Sequence, residues 1–314
     1  MEMLEQHLWH ELPPHTGSYA KISQKENVDT AVIFVHGWNG GADKTWYNFQ
    51  GLVDSSERCE HWEKCDLFFF EYESVWNHIA TSSGGLWDFL EGIYPEPKDD
   101  WFAANFAEIG IPELALEADL SALPCARHYT NLVLVGHSEG GVVIRKMLLD
   151  IIQTGVGMPK RAAAGRLAES QQDSSIEFAP SAPNPSLQFP ATVELRLFAP
   201  ALFGYRPSGG PGLVATSPGV GDLLHWSLNA SPAYQDLKDP TKLLEPLQAE
   251  TEKLAPENPM LRARITWAID EHIVAIGPGR YTIDHQAKDA PGRTHSSVCK
   301  PTQHYLDPLE FCEL

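Results

Sequence analysis

The chain has no long hydrophobic run. No apolar stretch approaches the roughly 18 residues that a membrane-spanning helix needs, so we expect no stable membrane insertion. The N-terminal region also lacks a basic segment followed by an apolar one. It carries Glu2, Glu5 and Glu11 instead, which is not typical of a secretory signal peptide. Together these absences predict a soluble, cytoplasmic protein.

Positively charged residues are scarce as well. The 314 residues include 23 Lys and Arg against 42 Asp and Glu, which gives a formal net charge of −19. Nucleic acids and anionic membrane surfaces attract basic faces, so this balance argues against both as partners. Cysteines are few and odd in number, which favours a reducing compartment over a disulfide scaffold. They are Cys59, Cys65, Cys125, Cys299 and Cys312.

The sequence does contain short apolar strands that alternate with helical patterns. This alternation predicts an α/β fold with a mostly parallel central sheet flanked by helices, as a single domain over residues 1–314. We predict strands at 30–35, 66–72, 132–135, 193–198, 263–268 and, more weakly, 280–283, with an antiparallel strand at 19–22. Helical patterns cover 44–53, part of 101–123, 140–152 and short pieces of 222–254.

Two segments differ in composition from the rest. Residues 155–190 are rich in Ala, Ser, Gln and Pro without a sustained period, which predicts a flexible surface excursion. Residues 201–259 hold many Pro and Gly between short amphipathic pieces. Their position late in the chain predicts a lid or cap over a pocket.

The strongest motif is Gly136-His137-Ser138-Glu139-Gly140, which follows four apolar residues and precedes a helical pattern. The bare G-x-S-x-G pattern is weak, but a strand before it and a helix after it are the context of a nucleophile elbow. In such an elbow, a sharp turn exposes a serine hydroxyl above the sheet. We therefore predict Ser138 as a nucleophile.

A second motif lies about 100 residues upstream. The apolar strand 31–35 ends in His36-Gly37-Trp38, at the start of a polar, glycine-rich loop. Acyl transfer needs backbone N–H groups aimed at the developing oxyanion, and glycine lets the backbone approach closely. The predicted oxyanion donors are the N–H groups of Trp38 and Glu139. Candidate substrate-pocket residues are His36, Gly37, His137 and Phe203.

A third motif supplies an acid and a base. The strand 263–268 is followed by two adjacent carboxylates, Asp270 and Glu271, and His295 comes 24 residues after Glu271. The chain order of serine, acid and histidine is the order expected of this fold. Asp270 ends the strand directly, whereas Glu271 has a three-residue gap to a valine, so both stay candidates with a slight preference for Glu271. His285 and His304 are alternatives to His295.

These motifs resemble those of lipase-like serine esterases with the α/β-hydrolase fold. The closer likeness is to the branch that contains GPI inositol-deacylase-like and serine-active-site-containing proteins. The likeness spans about residues 30–301 and rests on 35–38, 135–141, 198–204, 295 and 300–301. Glu139 departs from the pattern, because Met, Leu or Gln is common after the nucleophile in that family.

The residues and the resemblance together predict a serine hydrolase that cleaves acyl esters through a covalent acyl-enzyme. The substrate would be a small-molecule or lipid ester, and the reaction needs neither a cofactor nor a metal. Two alternatives stay open. One is an acyltransferase or thioesterase with the same triad, and the other is a non-catalytic hydrolase fold that binds a ligand or a partner.

Overall fold

The computed structural model describes residues 7–11, 17–53, 59–97, 127–154, 192–205, 230–271, 273–274 and 281–314. In these ranges eight strands form one sheet, in the order β1-β2-β4-β3-β5-β6-β7-β8. The strand β2 runs antiparallel to its neighbours β1 and β4. The other six strands, β3 to β8 in chain order, are parallel to one another. The strands are β1 His7–Glu11, β2 Tyr19–Ser23, β3 Thr30–Val35, β4 Cys65–Phe70, β5 Asn131–His137, β6 Thr192–Phe198, β7 Ala263–Asp270 and β8 Lys288–Thr294.

Helices flank this sheet. The elbow helix α4 packs against α3 and α6, and α3 also contacts α5. The helices are α1 Ala42–Leu52, α2 Cys59–Trp62, α3 Ile79–Ile93, α4 Glu139–Thr154, α5 Pro232–Lys238, α6 Leu244–Leu254 and α7 Asp307–Cys312, with a 3-10 turn at Pro259–Leu261. Of the helices in the described ranges, none is long and apolar enough to cross a membrane.

The centre of the sheet follows directly from the apolar runs of the sequence. Every residue of β3 and β4 is buried, as is every residue of β5 except its first. A strand that is covered on both faces reads as a continuous apolar run, which is why these strands could be predicted. The carboxyl ends of β3 and β5 lie side by side, with Val35 paired to Gly136. The loops that follow these strands therefore meet at one edge of the sheet.

A buried arginine connects the elbow helix α4 to the segments that flank β7. The Arg145 guanidinium donates to the Leu261 carbonyl oxygen at 2.9 Å and pairs with the Asp284 carboxylate at 2.6 Å. It also lies 4.4 Å from the centroid of the Tyr281 ring. Asp284 accepts a further hydrogen bond from the Ala263 N–H at 2.8 Å. This network ties α4 to the start of β7.

The predicted fold class is confirmed, and the chain has the α/β-hydrolase fold, with the serine turn between β5 and α4. The predicted strand 280–283 is wrong. Its described residues 281–283 form a loop and turn, and the last strand is β8. The predicted helix in 101–123 and the excursion 155–190 lie outside the described residues. So does part of the predicted lid, of which 201–205 and 230–259 are described.

Candidate active site

Ser138 occupies a sharp turn between a strand and a helix. The strand β5 ends at His137, the helix α4 begins at Glu139, and Ser138 between them has a φ of 55°. This left-handed conformation is unusual for a residue with a Cβ and is held by its surroundings. The Ser138 N–H donates to the Phe198 carbonyl at 3.0 Å, and the Ser138 carbonyl accepts from the Ala201 N–H at 3.0 Å. The loop after β6 therefore fixes the turn.

Two glycines allow the loop after β3 to touch this turn. A Cβ on Gly140 would overlap the carbonyl oxygens of Val35 and His36. A Cβ on Gly37 would stand 2.7 Å from the Ser138 Cβ and 3.3 Å from its Oγ. Real Cβ atoms do not approach other heavy atoms this closely, so both positions require glycine. The close approach puts the backbone of Gly37 beside the serine hydroxyl.

Ser138, His295 and Glu271 form one hydrogen-bonded chain. The His295 Nε2 lies 2.9 Å from the Ser138 Oγ, and the His295 Nδ1 lies 2.8 Å from the Glu271 Oε2. His295 follows β8 and Glu271 follows β7, so neighbouring strands deliver both side chains to the serine turn. All three residues are buried, with Ser138 3% exposed. The predicted alternatives to the base, His285 and His304, are exposed.

Glu271 is held in place by backbone donors. Its Oε1 accepts from the N–H of Ile273 at 2.8 Å and from the N–H of Val274 at 3.0 Å. Burial alone would raise the pKa of Glu271, but the hydrogen bond and charge of His295, with these two N–H groups, hold the pKa below its ordinary value. The carboxylate is therefore ionised at neutral pH. The side chain of Asp270, the other candidate acid, is exposed to solvent.

His137 contacts the same histidine from the opposite side of the turn. Its Nε2 lies 2.8 Å from the His295 carbonyl oxygen, and the two rings are 4.8 Å apart. Burial, helped by the nearby His295, lowers the pKa of His137 to about 3, so the ring is neutral at physiological pH. Because the partner is a carbonyl oxygen, Nε2 carries the proton and donates it. His137 thereby anchors the backbone of His295.

The loop after β3 is braced by aromatic side chains. The buried His36 ring stacks on the Tyr72 ring at 4.4 Å, and the Tyr72 hydroxyl donates to the His36 carbonyl oxygen at 2.8 Å. The Trp38 indole N–H donates to the Ser231 Oγ at 3.3 Å. Ser231 precedes α5 and donates in turn to the Val75 carbonyl oxygen at 2.6 Å. These contacts fix the backbone from His36 to Trp38, next to the serine.

The side chain of Glu139, directly after the serine, is fully buried. Neither of its carboxyl oxygens has a hydrogen-bond partner among the residues that the structure describes. Burial, and then the nearby negative charge of Asp236, raise the pKa of Glu139 well above its ordinary value of 4.5. The raised pKa favours the neutral form of this carboxyl group, which places no negative charge beside the serine.

Tyr205 is a site residue that sequence reasoning missed. Its phenol interacts with the Ser138 side chain, and its ring meets the Trp38 ring edge-on at 6.4 Å. The predicted pocket residue Phe203 instead packs edge-on against Tyr281 at 6.1 Å. Nothing in the local pattern distinguishes Tyr205 from Phe203, because both follow β6 in one glycine-containing loop. Only the path of that loop brings the tyrosine to the serine.

No protein-family model matches the sequence, and no curated protein matches it. Among solved structures, the chain is similar to esterase B of Lactobacillus rhamnosis, with 10% identity and a TM-score of 0.48 over 99% of this chain and 84% of that one. It is also similar to carboxyl esterase 2 of Tuber melanosporum, with 14% identity and a TM-score of 0.48 over 98% of this chain and 87% of that one. Similarities at this level do not assign an activity.

In the described part of the chain, no three His, Cys, Asp or Glu side chains are grouped as metal ligands would be.

The narrower resemblance to the GPI inositol-deacylase-like branch stays a prediction from the sequence motifs.

Proposed function

We propose that the protein is a serine hydrolase that cleaves carboxylic esters through a covalent acyl-enzyme. Ser138 is the nucleophile, His295 is the general base and acid, and Glu271 orients His295. The observation that carries the proposal is the hydrogen-bonded chain, with 2.9 Å from serine to histidine and 2.8 Å from histidine to carboxylate. An ionised carboxylate at Nδ1 keeps that nitrogen protonated, so Nε2 is free to accept the serine proton.

In the first half-reaction, the Ser138 Oγ attacks the ester carbonyl carbon and its proton passes to the His295 Nε2. The tetrahedral intermediate then expels the alcohol, which takes that proton from His295, and the acyl group stays on the serine. In the second half, a water gives its proton to His295 and attacks the acyl-enzyme. The acid is released and the proton returns to Ser138, so each residue ends as it began.

The developing oxyanion needs donors that are fixed before the reaction begins. We assign this role to the backbone N–H groups of Trp38 and Glu139. Support comes from the contact of Gly37 with Ser138 and from the bracing of the loop through the Trp38 indole. The substrate would be a small-molecule or lipid ester, whose alcohol or acyl part lies against Tyr205.

A fluorophosphonate probe tests the nucleophile. We expect the wild-type protein to be labelled at one serine and the Ser138→Ala variant to remain unlabelled. Ser296→Ala is the matched control, because Ser296 is an exposed serine next to His295, and we expect it to be labelled like wild type. If the wild-type protein is not labelled, or if Ser138→Ala is labelled, the proposal is wrong. Product analysis with water and with added alcohol separates hydrolysis from acyl transfer.

Replacing His137 tests whether it positions the base. We expect His137→Phe to lower kcat for a short-chain p-nitrophenyl ester by about 10-fold, with KM changed less than twofold. The variant keeps an aromatic ring but leaves the buried carbonyl of His295 unpaired, which costs on the order of 1–3 kcal/mol. His137→Gln retains an N–H donor and should recover part of the lost kcat. An unchanged kcat in His137→Phe would contradict the positioning role.

A further inference from the structure

The proposed mechanism uses the N–H of Glu139 but leaves its side chain without a role. That carboxyl is fully buried, and both of its oxygens lack a hydrogen-bond partner in the described residues. In the described part of the chain, three side chains from other parts of the fold interact electrostatically with it: Asp236 of α5, Tyr72 after β4 and Tyr205 after β6. Tyr205 also interacts with Ser138, so the carboxyl and the nucleophile share one site.

A buried polar group without a partner costs folding free energy, so it calls for a functional or structural reason, and a bound ligand group is one such reason. An acyl chain would leave the Glu139 carboxyl unpaired. An anionic group would be disfavoured by the nearby acidic side chain of Asp236, which pairs with His78 at 3.2 Å. A cation would be attracted by Asp236. Its binding would also favour the ionised form of Glu139, with which it would then pair.

Tyr205 belongs to a cluster of aromatic side chains that also suits a cation, because the face of an aromatic ring attracts positive charge. The Trp38 ring meets Tyr205 edge-on at 6.4 Å, and Tyr205 stacks on Tyr234 at 5.9 Å. One face of this cluster already carries a cation, since the Lys238 ammonium lies 5.9 Å from the centre of the Tyr234 ring. A neutral hydrogen-bonding group would gain less from the ring faces and from Asp236 than a cation would.

We propose that Glu139 is a specificity-determining residue that binds a positively charged group of the substrate, so that the enzyme prefers cationic esters such as those of ammonium alcohols. This inference rests on the proposed ester hydrolysis at Ser138. The net charge of −19 adds to the preference, because the negative field of the protein raises the local concentration of cations.

The proposal predicts a linkage between cation binding and protonation. In the free protein the buried Glu139 carboxyl holds a proton to a higher pH than an exposed glutamate does. A bound cation favours the carboxylate, so binding should release up to one proton from Glu139. Of the other groups nearby, Asp236 is paired with His78 at 3.2 Å, and Tyr72 and Tyr205 stay neutral because burial raises the pKa of each well above its ordinary value.

Two esters of nearly equal size and shape test the preference. Butyrylcholine and 3,3-dimethylbutyl butyrate differ by a quaternary nitrogen in place of a carbon. We expect the wild-type kcat/KM to be about 10- to 100-fold higher for the cationic ester, a range typical of a buried charge pair. In Glu139→Gln this ratio should fall at least about fivefold, and a smaller preference should remain because Asp236 and the aromatic rings are unchanged. The ratio cancels any change in the chemical step common to both esters.

The control is Glu257→Gln, which removes one negative charge from an exposed site beyond α6 and should keep the wild-type ratio. A wild-type ratio of one or below, or an unchanged ratio in Glu139→Gln, overturns the inference. If both esters are cleaved equally, the proposed hydrolysis stands and the cation site alone fails.

Calorimetry of choline binding separates the remaining outcomes, because it needs no turnover. Titrations of wild type and Glu139→Gln in two buffers of different ionisation enthalpy report both binding and proton release. We expect choline to bind the wild-type protein with release of a proton. It should bind Glu139→Gln at least about 10-fold more weakly and release no proton. This result would support the cation site even if no ester is cleaved. In that case only the proposed hydrolysis fails. Absence of both binding and cleavage overturns both.

Discussion

Glu271→Gln is expected to lower kcat for ester hydrolysis by about 10⁴-fold, whereas Asp270→Asn should change it less than threefold. The size of the first effect follows from how Glu271 is held. Its Oε1 is fixed by the N–H groups of Ile273 and Val274, so in a glutamine the carbonyl oxygen would take that position. The amide nitrogen would then face the His295 Nδ1 and donate to it. His295 would be left with its proton on Nε2, where it cannot accept the proton of Ser138.

The Asp270→Asn variant is the matched control because it makes the same chemical change one residue away. The Asp270 side chain is exposed at the end of β7, so its amide would meet solvent. Stopped-flow or steady-state measurements of kcat with a p-nitrophenyl ester decide between the two acids. A near-normal kcat in Glu271→Gln, or a large loss in Asp270→Asn, would assign the acid role to Asp270 instead.

The sequence could not choose between these two acids, and the reason is local geometry. Neighbouring residues at a strand end point to opposite faces, and a shift of one residue exchanges them. The pairing of β7 with β8 is irregular between Ala268 and Asp270, so counting residues from the buried part of the strand does not predict which side chain turns inward. In the structure Ile269 and Asp270 face outward and Glu271 faces His295.

The strands that sequence reasoning missed carry little hydrophobic signal. The strand β8 contains a proline and a glycine, and of its residues only Ala290 is buried. Among the described strands it lies at the edge of the sheet and pairs only with β7, so neither an apolar run nor an alternation distinguishes it. Yet this strand leads directly to His295. Similarly, β1 lies at the opposite edge of the sheet and pairs with β2.

The helix α3 was missed for a different reason. Its sequence contains Gly84 and Gly85 next to serines and a threonine, residues with low helix propensity. The helix is stabilised by tertiary packing, since it buries side chains such as Leu86, Trp87 and Leu90 and packs mainly against α4. In contrast, the central strands and α4 were predictable because their own apolar patterns match the faces that they bury.

The buried Glu139 leads to a second large effect, on stability rather than on activity. We expect the free energy of unfolding of Glu139→Gln, minus that of wild type, to rise by up to about 1.4 kcal/mol per pH unit above pH 4.5. Above this pH the unfolded chain gives up the Glu139 proton, whereas the folded protein keeps it until its own raised pKa is reached. The folded state therefore binds one more proton, and wild-type stability falls as pH rises through this window.

Glutamine at 139 removes the titration but keeps the shape and the polarity of the side chain. The unpaired amide of glutamine has a cost that does not depend on pH, so it shifts the difference in unfolding free energy equally at every pH. The slope of this difference against pH therefore reports only the titration of Glu139. Urea unfolding at pH 5, 6, 7 and 8 measures this slope, and Glu257→Gln should give a difference that does not change with pH, because Glu257 is exposed. A flat difference for Glu139→Gln would mean that the carboxyl is ionised in the folded protein. With no cation bound, it would then place an uncompensated negative charge beside the oxyanion donors, where it would oppose the chemistry proposed for Ser138.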